Sequence, residues 1–339
     1  MSGLYVQNVK TLIFDIIMNK SKKIVLFKSY GSEKDGLGHV SRCIALINAV
    51  PSEWCSILMV NANKFLAQYL LKFNIVFTHD FPDNDVDIII IDQWKKEKGL
   101  TEKLKKTYNC HVVRLDYYNY TNSYIDTIIN LFNHSNENPF QGGKIKNYYE
   151  GLEFAIIAPR FHKYLNKKES IKNIDRIIII MGGADPGLKT CDALKFLSNI
   201  SRRLHIDIIV GPLCPFEDVI NKQTLQCPHK TNIYKTPDNL PALMANAHLA
   251  ISGCGTTFFE LSFLGTPAIV MAQNQMEHRF CEFLENERLA CIARKNFNEA
   301  WHVMNNEEKR KQFIKRQMNV FDANGTYRIL TKAGIIKNE

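Results

Sequence analysis

An imidazole stands between two glycines and an arginine in Gly36-Leu37-Gly38-His39-Val40-Ser41-Arg42. Imidazole titrates near neutrality and is the side chain best suited to general acid–base work there. The segment follows a short apolar run, Lys23 to Phe27. It opens a stretch in which Val40, Cys43, Ile44 and Ile47 recur at the spacing of one buried helix face. The glycines therefore belong to a strand-to-helix turn, where the chain needs positive φ or lets something approach its backbone closely. His39 starts the helix beside free backbone N–H groups, which favour anions. A base next to an anion-binding turn points to chemistry on a phosphorylated ligand. Two other readings stand beside it. Gly36-x-Gly38 is two thirds of a dinucleotide fingerprint, although the third position is Ser41 and Glu53 lies in a Pro-Ser loop. A histidine at a helix start also serves as a cap or a surface residue.

Two more glycine turns lie further along. Gly182-Gly183-Ala184-Asp185-Pro186 follows one apolar run, and Ser252-Gly253-Cys254-Gly255-Thr256-Thr257 follows another and leads into a helix. Backbone N–H groups at such a turn favour anions, and Thr256 and Thr257 carry hydroxyl donors. Asp185 and Pro186 equally read as the cap and first residue of a helix. Asn274 and Gln275 follow a strand end, so their amides either point toward a ligand or form a turn. Asp83-Asn84-Asp85-Val86-Asp87 fits the Asp-x-Asp string of metal-dependent sugar transferases twice. It precedes a strand instead of following one, and reads as a solvated acidic turn.

The elements that position these groups alternate. In the first half the strands are expected at Lys23–Phe27, Ser56–Val60, Asn74–Thr78, Asp87–Ile91 and Cys110–Arg114, with amphipathic stretches Asn63–Phe73 and Thr101–Thr107 between them. Nearly continuous apolar runs mark strands covered on both faces, hence a parallel sheet. The pattern dissolves between Asn133 and Tyr149, resumes as a strand at Glu153–Ala158, and gives way to a charged linker. A second series runs through Arg176–Met181, Ile206–Val210, Leu249–Ile251, Ala268–Met271 and Cys291–Ala293, with a helical tail from about Asn305. The reading is an N-terminal extension over 1–22, a doubly wound domain over 23–162 and a linker over 163–175. A second doubly wound domain follows over 176–320, with the tail over 321–339. In such sheets ligands bind outside the carboxyl ends of the strands, where the glycine turns are.

A chain of 339 residues holds two domains of ordinary size, and 45% hydrophobic with 23% charged residues is a soluble globular profile. No uncharged apolar stretch reaches the length of a membrane span, and Leu12–Met18 has no small-residue cleavage site. Met18 is a plausible natural start, leading directly into the first strand. Nine cysteines without a C-x-x-C pair argue for a reducing cytoplasm and against a disulfide framework or structural zinc. The net charge of +9 is spread over dispersed lysines, with no nucleic-acid motif, and reads as a solvated surface.

Four motifs occur in order: Gly-x-Gly-His-x-x-Arg (Gly36 to Arg42), Gly-Gly-Ala-Asp-Pro, Gly-Thr-Thr-x-x-Glu-Leu-x-x-x-Gly-x-Pro (Gly255 to Pro267) and Asn274-Gln275. Ala158-Pro159-Arg160-Phe161 accompanies them. Together, over roughly residues 23–295, they resemble the UDP-2,4-diacetamido-2,4,6-trideoxy-β-L-altropyranose hydrolase family of pseudaminic acid biosynthesis and related spore-coat polysaccharide proteins. The resemblance implies a GT-B-like α/β fold, two doubly wound Rossmann-like domains facing across a cleft. It also implies a metal-independent enzyme without cofactor. UDP would be held by Gly182, Gly183, Asp185, Gly253, Gly255, Thr256, Thr257 and Glu260, with Glu260 accepting from the ribose hydroxyls or serving as an ordinary surface residue. Gly36, Gly38, Arg42, Asp92, Trp94, Asn274 and Gln275 would contact the substrate, Arg42 alternatively forming a structural salt bridge. His39 would activate a water that attacks the anomeric carbon, releasing UDP with inversion.

Two positions depart from the family pattern. Asp92-Gln93-Trp94 stands where the family has Asp-x-Tyr, so an aromatic surface remains without the phenolic donor. Cys254 stands where the family has the first of two adjacent glycines, a strained choice if positive φ is required; Gly253 is then expected to absorb the turn. The expected function is hydrolysis of a UDP-linked diacetamido-trideoxy sugar in the cytoplasm, with the UDP-sugar as partner and no nucleic acid. The rival is an inverting GT-B glycosyltransferase, for which Leu66, Tyr69 and Leu70 are either acceptor surface or core. A third reading is a sugar-nucleotide-binding protein without catalysis.

Overall fold

Runs such as Ile88-Ile89-Ile90-Ile91 and Ile177-Ile178-Ile179-Ile180 leave no polar side for solvent, so each must lie in a sheet covered on both faces. A computed structural model of the chain describes residues 22–32, 36–83, 85–93, 99–116, 123–132, 145–165, 172–294 and 297–337. Among these residues two parallel sheets carry the fold, and the residues group into two units. The first comprises the described residues up to 31, 39–154 and those from 324; the second comprises 32–38 and 155–323.

The first unit alternates β1 (Lys23–Ser29), α1 (Gly38–Ile47), β2 (Trp54–Met59), α2 (Lys64–Lys72) and β3 (Phe77–Thr78), then β4 (Ile88–Asp92), α3 (Leu100–Tyr108) and β5 (His111–Leu115). The strands β6 (Thr127–Asn130) and β7 (Asn147–Glu150) complete a seven-stranded sheet in the order β3-β2-β1-β4-β5-β6-β7. Ile24, Leu26, Ile57, Ile89, Ile91 and Leu104 fill one face of it. The Asn63 side chain caps α2 by accepting the Leu66 N–H at 2.9 Å, and Leu66 and Leu70 are buried beneath that helix.

The second unit runs β8 (Arg176–Ile180), α4 (Lys189–Leu197), β9 (His205–Val210), α5 (Glu217–Leu225), β10 (Lys230–Lys235) and α6 (Leu240–Asn246), then β11 (Leu249–Gly253) and α7 (Thr256–Phe263). It closes with β12 (Ala268–Met271), α8 (Gln275–Asn286), β13 (Cys291–Ile292), α9 (Phe297–Asn305) and α10 (Glu307–Val320). Its sheet order is β10-β9-β8-β11-β12-β13. Both sheets thus wind outward in two directions from a central pair, β1/β4 and β8/β11. At such a switch point the helices leave on opposite faces and a crevice opens at the strand ends.

The structure differs from the sequence reading in four respects. Glu153–Ala158 is not a strand. Gly151 turns the chain at φ +152°, and a short 3₁₀ turn, Leu152–Phe154, buries its apolar residues separately. The units divide there, at 154/155, ahead of the expected linker over 163–175. The chain's end belongs to the first unit: in α11 (Gly325–Lys332), Arg328 donates to the Glu153 carbonyl at 2.9 Å and Lys332 lies over the Tyr149 ring. Strands β6, β7 and β10 were not foreseen; the exposed Asn147 and Glu150 of β7 and the exposed Lys230 and Lys235 of β10 mask the pattern of those two.

Candidate functional site

At the switch point of the first sheet, β1 ends at Ser29 and β4 at Asp92, and these two residues pair in register. α1 begins at Gly38 with no acidic residue in its first turn, and His39 and Arg42, three residues apart, share a face there. That face meets the end of β4. His39 Nδ1 lies 2.7 Å from Asp92 Oδ1, and Arg42 Nε donates to Asp92 Oδ2 at 2.8 Å. Arg42 Nη2 also donates to Asp92 Oδ1 and lies 3.3 Å from His39 Nδ1. Arg42 Nη1 reaches Asp116 Oδ2 at 2.5 Å.

These contacts decide the histidine's tautomer. A guanidinium only donates, so it would need a lone pair on Nδ1; a carboxylate only accepts, so it needs a proton there. The carboxylate contact is the shorter, and Arg42 satisfies itself on the same carboxylate. Nδ1 therefore carries a proton, and in the neutral ring the lone pair is on Nε2. Asp92 is fully buried. Burial alone would push its carboxyl up, but the charges and hydrogen bonds of Arg42 and His39 outweigh that and hold it well below the usual carboxylate range. Burial likewise works against the Arg42 cation, and Asp92 and Asp116 more than compensate, raising it well above its ordinary value. Tyr30, just beyond β1, stacks on the His39 ring with centroids 5.5 Å apart.

Asp116 completes the network. It sits past the end of β5 at φ +48°, a conformation aspartate tolerates better than most residues. Its Oδ1 accepts the Leu131 N–H at 3.2 Å, which fixes the carboxylate that steadies Arg42. The sequence reading missed Asp116 and Tyr30. An Asp directly after an apolar strand was the available signal for the first, and a Tyr directly after β1 for the second.

In the second unit the turn after β8 places Gly182 at φ +81°. Gly211, at the end of β9, supports it: a Cβ there would lie 2.3 Å from the Gly182 carbonyl and 2.4 Å from that of Gly183. Gly183 leaves room for the backbone of Leu37, whose N would lie 3.0 Å from a Cβ; Ser32–Gly38 groups with this unit. Asp185 is buried, and its two oxygens accept the N–H groups of Lys189 at 2.7 Å and Thr190 at 3.1 Å. It caps α4, which starts at Lys189, three residues past Pro186. The carboxylate thus does the structural work expected of a cap.

After β11, Gly255 flanks α7 at φ −148°, and Thr256 and Thr257 open that helix half-buried. Neither Gly253 nor Cys254 has positive φ, so cysteine is unstrained at 254, where it packs buried beside Cys281. Gly253 answers a different need: a Cβ there would lie 2.8 Å from the Gln273 side-chain nitrogen. Glu260, half-buried one turn into α7, has its carboxyl pushed up to about 7 by burial, against the opposing pull of Arg160. Asn274 caps α8, its Oδ1 accepting the Glu277 N–H at 3.0 Å, so turn formation explains it. Gln275 is exposed on the first turn of α8.

Gly36 has φ +77°, as a turn glycine would, and pairs with Ser32 through two backbone hydrogen bonds. Arg42 binds Asp92 and Asp116, the structural alternative for that residue, and Asp92 serves His39 and Arg42. Trp94 lies outside the described residues. Asp87 binds the Ile24 N–H at 2.8 Å at the opposite end of the sheet, away from Asp92. Among the described residues no three His, Cys, Asp or Glu side chains converge as metal ligands would, and no helix is long and apolar enough to cross a membrane.

No family model matches the chain. It is 28% identical over 274 residues to an uncharacterized protein of Methanocaldococcus jannaschii, covering 73% of this chain and 55% of that one. It is 22% identical to the spore coat polysaccharide biosynthesis protein SpsG of Bacillus subtilis, over 75% of this chain and 78% of that protein. A third relative is the pseudaminic acid cytidylyltransferase and UDP-2,4-diacetamido-2,4,6-trideoxy-beta-L-altropyranose hydrolase of Helicobacter pylori, 23% identical over 71% of this chain and 43% of that protein. The chain thus spans about half the length of the first and third of these relatives. Among solved structures, MurG of Acinetobacter baumannii superposes with TM-score 0.63 at 11% identity, covering 93% of this chain and all of that one. HepE of Anabaena, in complex with UDP and glucose, gives TM-score 0.55 at 13% identity over 93% of this chain and 100% of that one. The fold is GT-B.

Proposed function

We propose that this protein cleaves a UDP-linked 2,4-diacetamido-2,4,6-trideoxy sugar by hydrolysis, releasing UDP and the free sugar. The observation that carries the reading is the His39–Asp92 pair at 2.7 Å, braced by Arg42 at the switch point of the first sheet. In this reading Asp92 holds the Nδ1 proton, and Nε2 removes a proton from water as its oxygen bonds to the anomeric carbon. The anomeric carbon–oxygen bond breaks on the opposite side, and its electron pair leaves with the β-phosphate of UDP. The configuration inverts. General-base assistance of this kind contributes on the order of 10²–10⁴ in rate.

UDP is assigned to the second unit. The open start of α7 presents backbone N–H groups and two threonine hydroxyls to the diphosphate, with the Gly182-Gly183 turn at the neighbouring strand end. Glu260 accepts from the ribose hydroxyls in its ionised form. The Helicobacter pylori relative supports the sugar class by its name, and HepE supports UDP as the nucleotide.

An inverting glycosyltransferase is the second reading, in which His39 deprotonates an acceptor hydroxyl. One feature favours it. Leu66 and Leu70 are core, whereas Phe65, Tyr69 and Phe73 form a half-buried aromatic row along α2. The deciding experiment incubates the protein with UDP-2,4-diacetamido sugars, with and without candidate acceptors, and measures UDP release. Release without acceptor, lost in His39→Ala while UDP still binds, supports the hydrolase. Release only with an acceptor supports the transferase, and full activity of His39→Ala overturns both.

A further inference from the structure

Glu277 occupies the third position of α8, and Asn274 its N-cap. In an ordinary capping box the acid at that position reaches back to the cap residue's own N–H. Here it reaches further. Glu277 Oε2 accepts the Gln273 N–H at 2.9 Å, and Oε1 lies 3.3 Å from the Asn274 side-chain nitrogen. The backbone N–H of Cys254, in the turn after β11, is also directed at this carboxylate. Gln273 itself continues the link, its Nε2 donating to the Met181 carbonyl at 2.8 Å in the turn after β8. A Cβ on residue 253 would lie 2.8 Å from that amide nitrogen and press on its path.

We infer that Gln273 and Glu277 are positioning residues that tie together the turns after β8, β11 and β12, and so preset the diphosphate-binding backbone of the second unit. The inference rests on the assignment of UDP to those turns. Three loops that each leave a strand end independently would otherwise adopt their binding geometry at an entropic cost on every binding event. A carboxylate suits the centre because it accepts several N–H bonds at once and donates none. Burial pushes the Glu277 carboxyl up to about 7, and the N–H groups of Gln273 and Cys254 and the Asn274 amide pull against that rise. Among the described residues, the thiols of Cys254 and Cys281 also pack here, and burial raises that of Cys254.

The test uses the full chain and three variants: Glu277→Gln, Gln273→Ala and Gly253→Ala. In Glu277→Gln the new NH₂ group faces N–H donors. In Gly253→Ala the added methyl displaces the Gln273 amide. Two readouts are needed: amide hydrogen exchange over 252–257 and 272–275, and UDP affinity by calorimetry, with KM and kcat for the UDP-sugar. The expected result is faster exchange in both turns, no change in the core strands, and UDP bound about tenfold more weakly, the equivalent of one charge-assisted hydrogen bond. KM rises and kcat holds. Unchanged exchange in all three variants overturns the tie. Faster exchange with unchanged UDP affinity overturns its positioning role. If the unaltered chain fails to bind UDP, the nucleotide assignment and the positioning role fall together, and exchange still decides whether the tie exists.

Discussion

At the residue scale, the proposed hydrolysis turns on which nitrogen of His39 holds the proton. Asp92→Asn keeps the shape of the end of β4 but lets its amide donate to Nδ1, which would place the proton on Nε2 and block it as a base. Turnover of the UDP-sugar is expected to fall by about 10²–10⁴, as in His39→Ala, with UDP affinity unchanged in both. An Asp92→Asn enzyme with normal kcat would remove the carboxylate from the mechanism. Arg42 has a different part. Arg42→Met leaves the fully buried Asp92 without its principal cation, which is expected to cost about 3–5 kcal/mol in denaturant unfolding. A loss under about 1 kcal/mol would show that Arg42 braces little.

At the element scale, the two ends of the first sheet do different work. The carboxyl ends of β1, β4 and β5 carry Ser29, Asp92 and Asp116, while the amino ends are fastened by Asp126. That carboxylate, at the start of β6, binds Lys105 of α3 at 2.5 Å, Lys146 at 2.9 Å and the Val112 N–H of β5 at 3.0 Å. Burial would raise it, but the two lysines and the backbone donor lower it to about 2. Its folded value lies below the unfolded one near 3.9, so its stabilisation is full above about pH 4 and fades as pH falls toward 2. Asp126→Asn is therefore expected to lose about 2 kcal/mol at neutral pH, with the gap to the unaltered protein closing in acid. A gap that persists at the acid end would assign the effect to packing instead of charge.

At the scale of the whole molecule, two doubly wound sheets share one topology and carry different chemistry at their switch points: an acid–base network in one, backbone donors in the other. UDP should stabilise the chain against heat by about 2.7 kcal/mol at a hundred times its Kd. Its affinity should also depend on pH through Glu260, whose carboxyl stands at about 7. If, as proposed, the ionised form is the acceptor for ribose, binding tightens as pH rises from 6 to 8, by up to about tenfold per unit below that midpoint. Calorimetry on Glu260→Gln checks this: weaker binding with a flatter pH dependence is expected. An unchanged slope would move the ribose elsewhere.

The amino-acid sequence by itself determined the doubly wound class, because continuous Ile and Val runs alternating with amphipathic stretches leave few other ways to bury both faces of a strand. It also placed His39 and the three glycine turns, since local spacing and the need for small residues are written residue by residue. Position 182 did need its glycine, at φ +81°. What sequence could not reach was which groups meet. Asp92 is 53 residues from His39, and Asp116 is 74 from Arg42; only the parallel order of β1, β4 and β5 brings those strand ends together. The same holds for Gly211 and Gly253, whose missing side chains matter because a distant turn, not a local one, passes over them. Local preference is a property of the chain and can be read along it. Tautomer, charge balance and clearance belong to pairs of residues, and tertiary structure alone supplies the partner.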